Sequence, residues 1–234
     1  MRQALHGEMG RMSLLWERTR IFREERDLMA TSSIQGKVCL VTGSSSGIGK
    51  VTARELAKMG ATVVMVCRNQ AKGEAAQAEI KEESSNDQVD LIVADLSELS
   101  QVRRVANEFK QKYSQLHVLI NNAGGVNSEH KVTTDGLEFT FATNYLAPFL
   151  LTEQLLDVLK ASAPARVVNV SSNGHVLGNI DFADLQGTRR YNATKAYGPV
   201  QARADLLYLR TGWPAQRHWC HGQCTPSRTG ELQL

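Results

Sequence analysis

The sequence predicts an α/β fold in which helices cover both faces of a doubly wound parallel sheet, a three-layer α/β/α arrangement. Short apolar runs alternate with helical patterns, and the first run leads directly into a glycine-rich loop. The runs are apolar at nearly every position, which is typical of parallel strands buried on both faces. Regular alternation of strands and helices then implies right-handed crossovers.

The elements follow one another in a regular order. The predicted strands are Lys37–Val41, Thr62–Cys67, Val89–Ala94, Val118–Ile120 and Arg166–Val170. The predicted helices lie between them, at Ile48–Met59, Ala71–Glu83, Glu98–Tyr113 and Gly136–Lys160.

Composition limits the class of protein. The chain has 234 residues, 42% of them apolar, which suits one globular domain. A net charge of +3 does not favour a nucleic-acid partner, and no apolar run is long enough for a membrane span. Cys39 and Cys67 fall within predicted strands, so we expect buried free thiols and a cytoplasmic location.

The chain divides into three segments. Residues 1–33 form a charged extension without motifs, residues 34–198 carry the alternating pattern, and residues 199–234 form an aberrant tail. The tail holds two of the three tryptophans, two of the four cysteines and three of the five prolines, and its periodicity fades. We therefore expect the C-terminal part of the fold to be incomplete.

A glycine-rich loop, Thr42–Gly49, joins the first strand to the first helix. Glycines at 43, 47 and 49 permit a sharp turn and close backbone approach, and the helix start at Ile48 offers free N–H groups to a phosphate. In this position the loop predicts a Rossmann-type dinucleotide site. The predicted cofactor-binding residues of this loop are Gly43, Ser45, Ser46, Gly47, Ile48 and Gly49.

Other predicted cofactor residues follow the next three strands. Arg68 and Asn69 end the second strand, where an arginine suits a 2′-phosphate and so favours NADP over NAD. A solvent-facing arginine is the alternative. Asp95 and Leu96 end the third strand, where helix capping is a second interpretation. The fourth strand ends in Asn121-Asn122-Ala123-Gly124, at the edge where a ligand binds an open parallel sheet.

Together these motifs resemble the short-chain dehydrogenase/reductase family over roughly residues 36–198. The resemblance implies cofactor phosphates on the glycine loop, adenine near Asp95, and ribose and nicotinamide near Asn122, Ala123 and Gly124. The segments 134–138, 144–152 and 184–187 resemble the retinol-dehydrogenase-like and WW-domain-oxidoreductase branch. That branch implies a small hydrophobic alcohol or carbonyl substrate, such as a retinoid, a steroid or an aldehyde.

The resemblance also implies the chemistry. Asn144 would help to hold a proton-relay water, Ser172 would hydrogen-bond the substrate carbonyl, and a tyrosine would exchange a proton while hydride moves to or from nicotinamide. Free tyrosine has a pKa near 10. A lysine one helical turn later would lower that pKa and place its charge on the same helix face.

Two tyrosines fit this role. Tyr191 and Lys195 match the Tyr-x-x-x-Lys pattern directly. Tyr197 follows Ser172 by the separation expected for the branch, and we predict it as the catalytic residue, with Tyr191/Lys195 as the alternative pair. The lysine expected four residues after Tyr197 is Gln201, which brings no positive charge.

Reading the codons one base later from about residue 198 permits a family-like continuation in which position 201 becomes Lys or Arg. We therefore hypothesise a frameshift there. The function classes left open are an NADP- or NAD-dependent oxidoreductase, a dinucleotide-binding protein without turnover, and a truncated product without function. A homo-oligomer is compatible with the resemblance, but its usual dimer helix would be disrupted.

Overall fold

One parallel sheet forms the centre of the described protein. The computed structural model describes residues 34–172 and 181–189 together with Tyr191 and Ala193. Within these residues the strands are β1 Val38–Thr42, β2 Thr62–Cys67, β3 Val89–Val93, β4 Val118–Asn121 and β5 Arg166–Asn169. Their order is β3-β2-β1-β4-β5, and every pair is parallel. The winding reverses between β1 and β4, which confirms the doubly wound prediction.

The helices agree closely with the predicted ones. They are α1 Gly47–Lys58, α2 Gln70–Ser84, α3 Leu99–Lys112, α4 Phe139–Phe141 and α5 Ala147–Ala161, with a π-helical turn at Ala142–Leu146 between the last two. The final helix was predicted to begin at Gly136. It begins at Phe139, because Gly136 turns with φ +73° and Glu138 caps the helix.

Alternate residues of the strands face two different helix pairs. Leu40, Val64 and Val66 pack into one core with residues of α3 and α5, such as Phe109 and Leu155. The intervening strand residues face the other side, where α1 and α2 pack together and against the sheet. The predicted three layers are therefore present.

The last strand departs from the prediction that all strands are buried on both faces. Val168 in β5 is 40% exposed, and Val170 just beyond it is 38% exposed, whereas Val64 in β2 is fully buried. Val167, which points the other way, packs against the core. Among the described residues no element covers the face of β5 that carries Val168. The predicted N-terminal extension 1–33 and the tail 199–234 lie outside the described residues.

Candidate active site

The glycine-rich loop crosses the carboxyl end of β1. Its base is fixed by a hydrogen bond from the Gly43 amide to the Val66 carbonyl (2.8 Å) and one from Ser44 Oγ to the Val41 carbonyl (3.0 Å). Ser46 begins α1 without capping it through its side chain, and no acidic residue lies in the first turn. The first amides of α1 are therefore available to an anion, as predicted.

Glycines 43 and 49 also let the loop pack closely against the segment that follows β4. A Cβ on Gly49 would lie 2.5 Å from the Gly43 carbonyl oxygen and 2.3 Å from Asn122 Nδ2. A Cβ on Gly43 would lie 2.8 Å from the Cα of Ala123. These two glycines allow the loop to pack against the Asn122–Gly124 segment. Among the three glycines of this loop, only Gly47, with φ +56°, has open space where a Cβ would lie.

Thr42 joins the two loops, a role that the sequence analysis missed. Its Oγ1 accepts hydrogen bonds from the Asn122 amide (3.0 Å) and the Ala123 amide (2.9 Å), and it donates to the Ile120 carbonyl (3.4 Å). Asn122 Nδ2 returns a bond to the Thr42 carbonyl (2.9 Å). The signal available in the sequence was the threonine directly before the first glycine, because its hydroxyl can both donate and accept hydrogen bonds.

Asparagine also connects β4 to β5. Asn121 Nδ2 donates to Asn169 Oδ1 (2.7 Å) and to Thr152 Oγ1 on α5 (3.2 Å). Asn121 therefore ties β4 both to β5 and to α5. The carboxyl edge of β1, β4 and β5 is one connected hydrogen-bonded surface.

The predicted adenosine-side residues lie at the ends of β2 and β3. Arg68 and Asn69 are exposed, and Asn69 Oδ1 caps α2 by accepting from the Lys72 amide (2.9 Å). Leu96 is buried in the core, and Asp95 is half-buried.

Asp95 does not cap the following helix, so that interpretation was wrong. Its Oδ1 accepts from the Ser97 amide (2.9 Å) and hydroxyl (2.7 Å), which closes a local turn before the helix. The first amide of α3, at Leu99, is instead capped by Asp135 Oδ2 at 2.8 Å. A cap 36 residues away along the chain leaves no local signal in the sequence.

A cavity of about 340 Å³ brings the predicted site residues together. Ile48 from the glycine loop, Gly124 after β4, Asn144 from the π-helical turn and Ser172 after β5 all line it. Its other lining residues come from the same edge of the sheet, from the π-helical turn and from α5. Among them only Asn122 and Ala123 were predicted as site residues. They are Asn121, Asn122, Ala123, Gly125, Val126, Tyr145, Pro148, Asn169, Val170 and Ser171.

Asn144 is buried and committed to the backbone of one neighbour. Its Oδ1 accepts from the Gly125 amide (3.0 Å), and its Nδ2 donates to the Gly125 carbonyl (2.9 Å). Asn144 lies in the π-helical turn Ala142–Leu146. Asn144 thus fixes the start of the segment that follows Gly124.

Of the two candidate tyrosines, only Tyr191 lies among the described residues. Tyr197, Lys195 and Gln201 lie outside the described residues. Tyr191 is described, and its hydroxyl donates to the Asn127 carbonyl (2.8 Å). It is absent from the described cavity lining.

Neither a metal centre nor a membrane-spanning helix is seen in the described part of the chain. No group of three or more His, Cys, Asp or Glu side chains is placed there to hold a metal ion. No helix there is both long and apolar enough to cross a membrane. The histidines and cysteines of the tail lie outside the described residues.

Comparison with known proteins gives the family. The family model for short chain dehydrogenase matches residues 37–198. The chain belongs to the short chain dehydrogenase family. This confirms the resemblance drawn from the glycine loop and the Asn-Asn-Ala-Gly motif.

The family's retinol dehydrogenases are among the similar proteins. Retinol dehydrogenase 12 of Mus musculus is 48% identical over 184 residues, which cover 78% of this chain and 58% of that protein. Retinol dehydrogenase 11 of Homo sapiens is 48% identical over 171 residues, covering 72% of this chain and 54% of that protein. The predicted branch is confirmed, and the chain spans little more than half the length of these relatives.

Solved structures agree with the fold. A crystal structure of a metagenomic short-chain oxidoreductase in complex with NADP matches with a TM-score of 0.61 and 27% identity. The match covers 75% of this chain and 75% of that one.

Proposed function

We propose that the chain binds NADP or NAD along its glycine loop and belongs to a lineage that transfers hydride between nicotinamide and a small hydrophobic alcohol or carbonyl compound. The observation that carries this proposal is the cavity, which runs from Ile48 at the loop to Ser172 after β5. Val126, Pro148 and Val170 give it apolar lining, which suits a retinoid-, steroid- or aldehyde-like substrate.

The dinucleotide fits the residues present. The uncapped amides at the start of α1 would hold the pyrophosphate, and open space beside Gly47 leaves room for it. Arg68 is exposed at the end of β2, where it would pair with a 2′-phosphate, so we propose NADP as the preferred form. Asp95 and Leu96 would border the adenine, and Asn122, Ala123 and Gly124 the nicotinamide ribose.

The bound cofactor would supply or accept the hydride, and this chain's residues would manage the proton. Ser172 lines the cavity and would hydrogen-bond the substrate oxygen. Tyr197 would donate or accept the proton. Gln201 stands where a lysine would lower the tyrosine pKa, so we propose that turnover is weak or lost while dinucleotide binding remains.

A frameshift near residue 198 remains our explanation for Gln201. Sequencing the gene through codons 190–210 tests it. An extra base relative to related genes supports the frameshift, and an uninterrupted frame shared by independent isolates refutes it.

Titration calorimetry of the purified chain with NADPH and NADH tests the binding proposal. We expect measurable binding, tighter for NADPH, and weaker NADPH binding for Arg68→Ala with unchanged NADH binding. Absence of binding to both nucleotides by folded protein would refute the proposal. Carbonyl-dependent oxidation of NADPH, followed by absorbance with a retinal and a short aldehyde, separates the oxidoreductase from a protein that only binds.

A further inference from the structure

One wall of the cavity is a segment with little secondary structure of its own. Gly125 and Val126 line the cavity, Asn127 is half-buried, and the chain is exposed from residue 128 to Lys131. We call residues 125–131 the wall segment. Asn144 fixes its first residue through two hydrogen bonds. At its far end the Lys131 carbonyl accepts from the Phe139 amide at 2.8 Å.

The middle of the wall segment is held by Tyr191. The Tyr191 hydroxyl donates to the Asn127 carbonyl at 2.8 Å. Its ring meets the ring of His130 edge to face, with centroids 5.2 Å apart and planes at 85°. One phenol therefore contacts the segment at two points, one polar and one aromatic.

A second set of bonds ties the chain just before Tyr191 to the same region. His130 Nε2 lies 3.2 Å from the Gln186 carbonyl, and Gln186 Oε1 accepts from the Glu138 amide at 3.0 Å. Glu138 is 2% exposed and caps α4 through the Thr140 and Phe141 amides. Residues 186–191 thus connect the wall segment to the start of the helix that carries Asn144.

The surroundings of Tyr191 raise its pKa, whereas a tyrosine that acts as a base needs surroundings that lower it. Burial and the nearby Glu138 carboxylate raise its pKa above the usual value, although the Thr140 hydroxyl opposes the shift. An effective base at neutral pH needs its pKa lowered. The Tyr191 hydroxyl also donates its hydrogen bond to the Asn127 carbonyl.

We propose that Tyr191 is a positioning residue that holds the wall segment against the cavity, and so governs how tightly the apolar part of the substrate fits beside Val126. Its role in selecting a substrate rests on the proposed oxidoreductase function. The holding role itself does not, because it depends only on bonds within the chain. Under this proposal Tyr191 holds the wall segment, and Tyr197 stays the predicted proton donor.

Hydrogen exchange of the full-length chain tests the holding role without turnover. Tyr191→Phe removes the bond to Asn127 and keeps the ring beside His130. Loss of one such bond should raise exchange in peptides covering residues 126–133 by about 3- to 10-fold, with little change in β1–β4. Gln186→Ala removes the side-chain bond to the Glu138 amide and keeps the carbonyl beside His130, so it should raise exchange in peptides that contain Glu138.

Tyr113→Phe is the matched control. The Tyr113 hydroxyl bonds Asp90 beside the β3 edge of the sheet, so its loss should leave exchange at residues 126–133 unchanged. Unchanged exchange in these peptides for Tyr191→Phe would overturn the proposal, whether or not the chain binds a nucleotide. Failure of the wild-type chain to bind NADPH would instead refute the proposed function.

Kinetics separate a positioning residue from a proton donor. On a frame-corrected chain that carries the lysine after Tyr197, Tyr191→Phe should raise KM for a hydrophobic carbonyl several-fold, with kcat and its pH profile nearly unchanged. A fall in kcat of more than 100-fold with unchanged KM would identify Tyr191 as the proton donor and overturn the proposal.

Discussion

Replacement of Gly49 by alanine should damage the fold and the nucleotide site together. The new Cβ would lie 2.5 Å from the Gly43 carbonyl oxygen, where ordinary contacts begin near 3.4 Å. It would also displace Asn122 Nδ2, which donates to the Thr42 and Gly43 carbonyls. Overpacking costs about 1–3 kcal/mol and each lost hydrogen bond about 1 kcal/mol. We expect the free energy of unfolding to fall by about 3 kcal/mol or more.

Urea denaturation measures that loss, and calorimetry with NADPH should show affinity reduced at least tenfold, since the α1 amides move with the loop. Gly136→Ala is the matched control. Gly136 has φ +73° with nothing within 4 Å of the added atom, so only backbone strain of about 1–2 kcal/mol is expected. Equal losses for the two variants, with full NADPH affinity in Gly49→Ala, would refute this reasoning.

Three further changes probe the rest of the described protein. Glu138→Ala leaves two α4 amides without their acceptor and should lower unfolding free energy by about 2 kcal/mol in urea, more than Glu138→Gln. Burial and Lys37 lower the pKa of His117, whose Nδ1 accepts from the Val38 amide, so thermal stability should fall as pH drops below about 6.5. Burial raises the pKa of the Cys39 thiol to about 12, so iodoacetamide at pH 8 should label it only after unfolding, as mass spectrometry would show.

The predictions for His117 and Cys39 can each be checked against a second measurement. The sign for His117 follows because the unfolded chain takes up the proton first, so stability is complete above the unfolded pKa and is lost below it. His117→Asn should flatten that dependence. Labelling of Cys39 in the native state at the rate of the unfolded chain would contradict its burial.

The sequence was a good guide to whatever depends on local pattern. The apolar runs identified β1 to β5, and the glycine loop lies at the switch point where ligands bind such sheets. The gathering of Asn144 and Ser172 at one cavity was expected only from the family resemblance, because they are far apart along the chain.

What escaped prediction depends on contacts between distant residues. Asp135 caps α3 across 36 residues, and Thr42 bonds a loop about 80 residues away. Gly49 was predicted as part of the phosphate loop, and the contact of its Cα with the Asn122 side chain, which leaves no room for a Cβ, was not foreseen. Residue type and spacing cannot distinguish these uses, since a glycine signals only that a side chain would be in the way.

The Thr42 hydroxyl preorganises the two loops of the proposed nucleotide site, the glycine-rich loop and the Asn122–Gly124 segment. Hydrogen bonds between Thr42 and the Asn122–Ala123 backbone and side chain already hold the two loops together. A nucleotide that binds at the sheet edge therefore need not order these loops. For the proposed nucleotide site we therefore expect a small conformational-entropy penalty of association, so that more of the contact energy is retained as affinity. Thr42→Val keeps the shape of the side chain and removes the hydroxyl that accepts from the Asn122 and Ala123 amides, so the entropy of nucleotide binding should become less favourable.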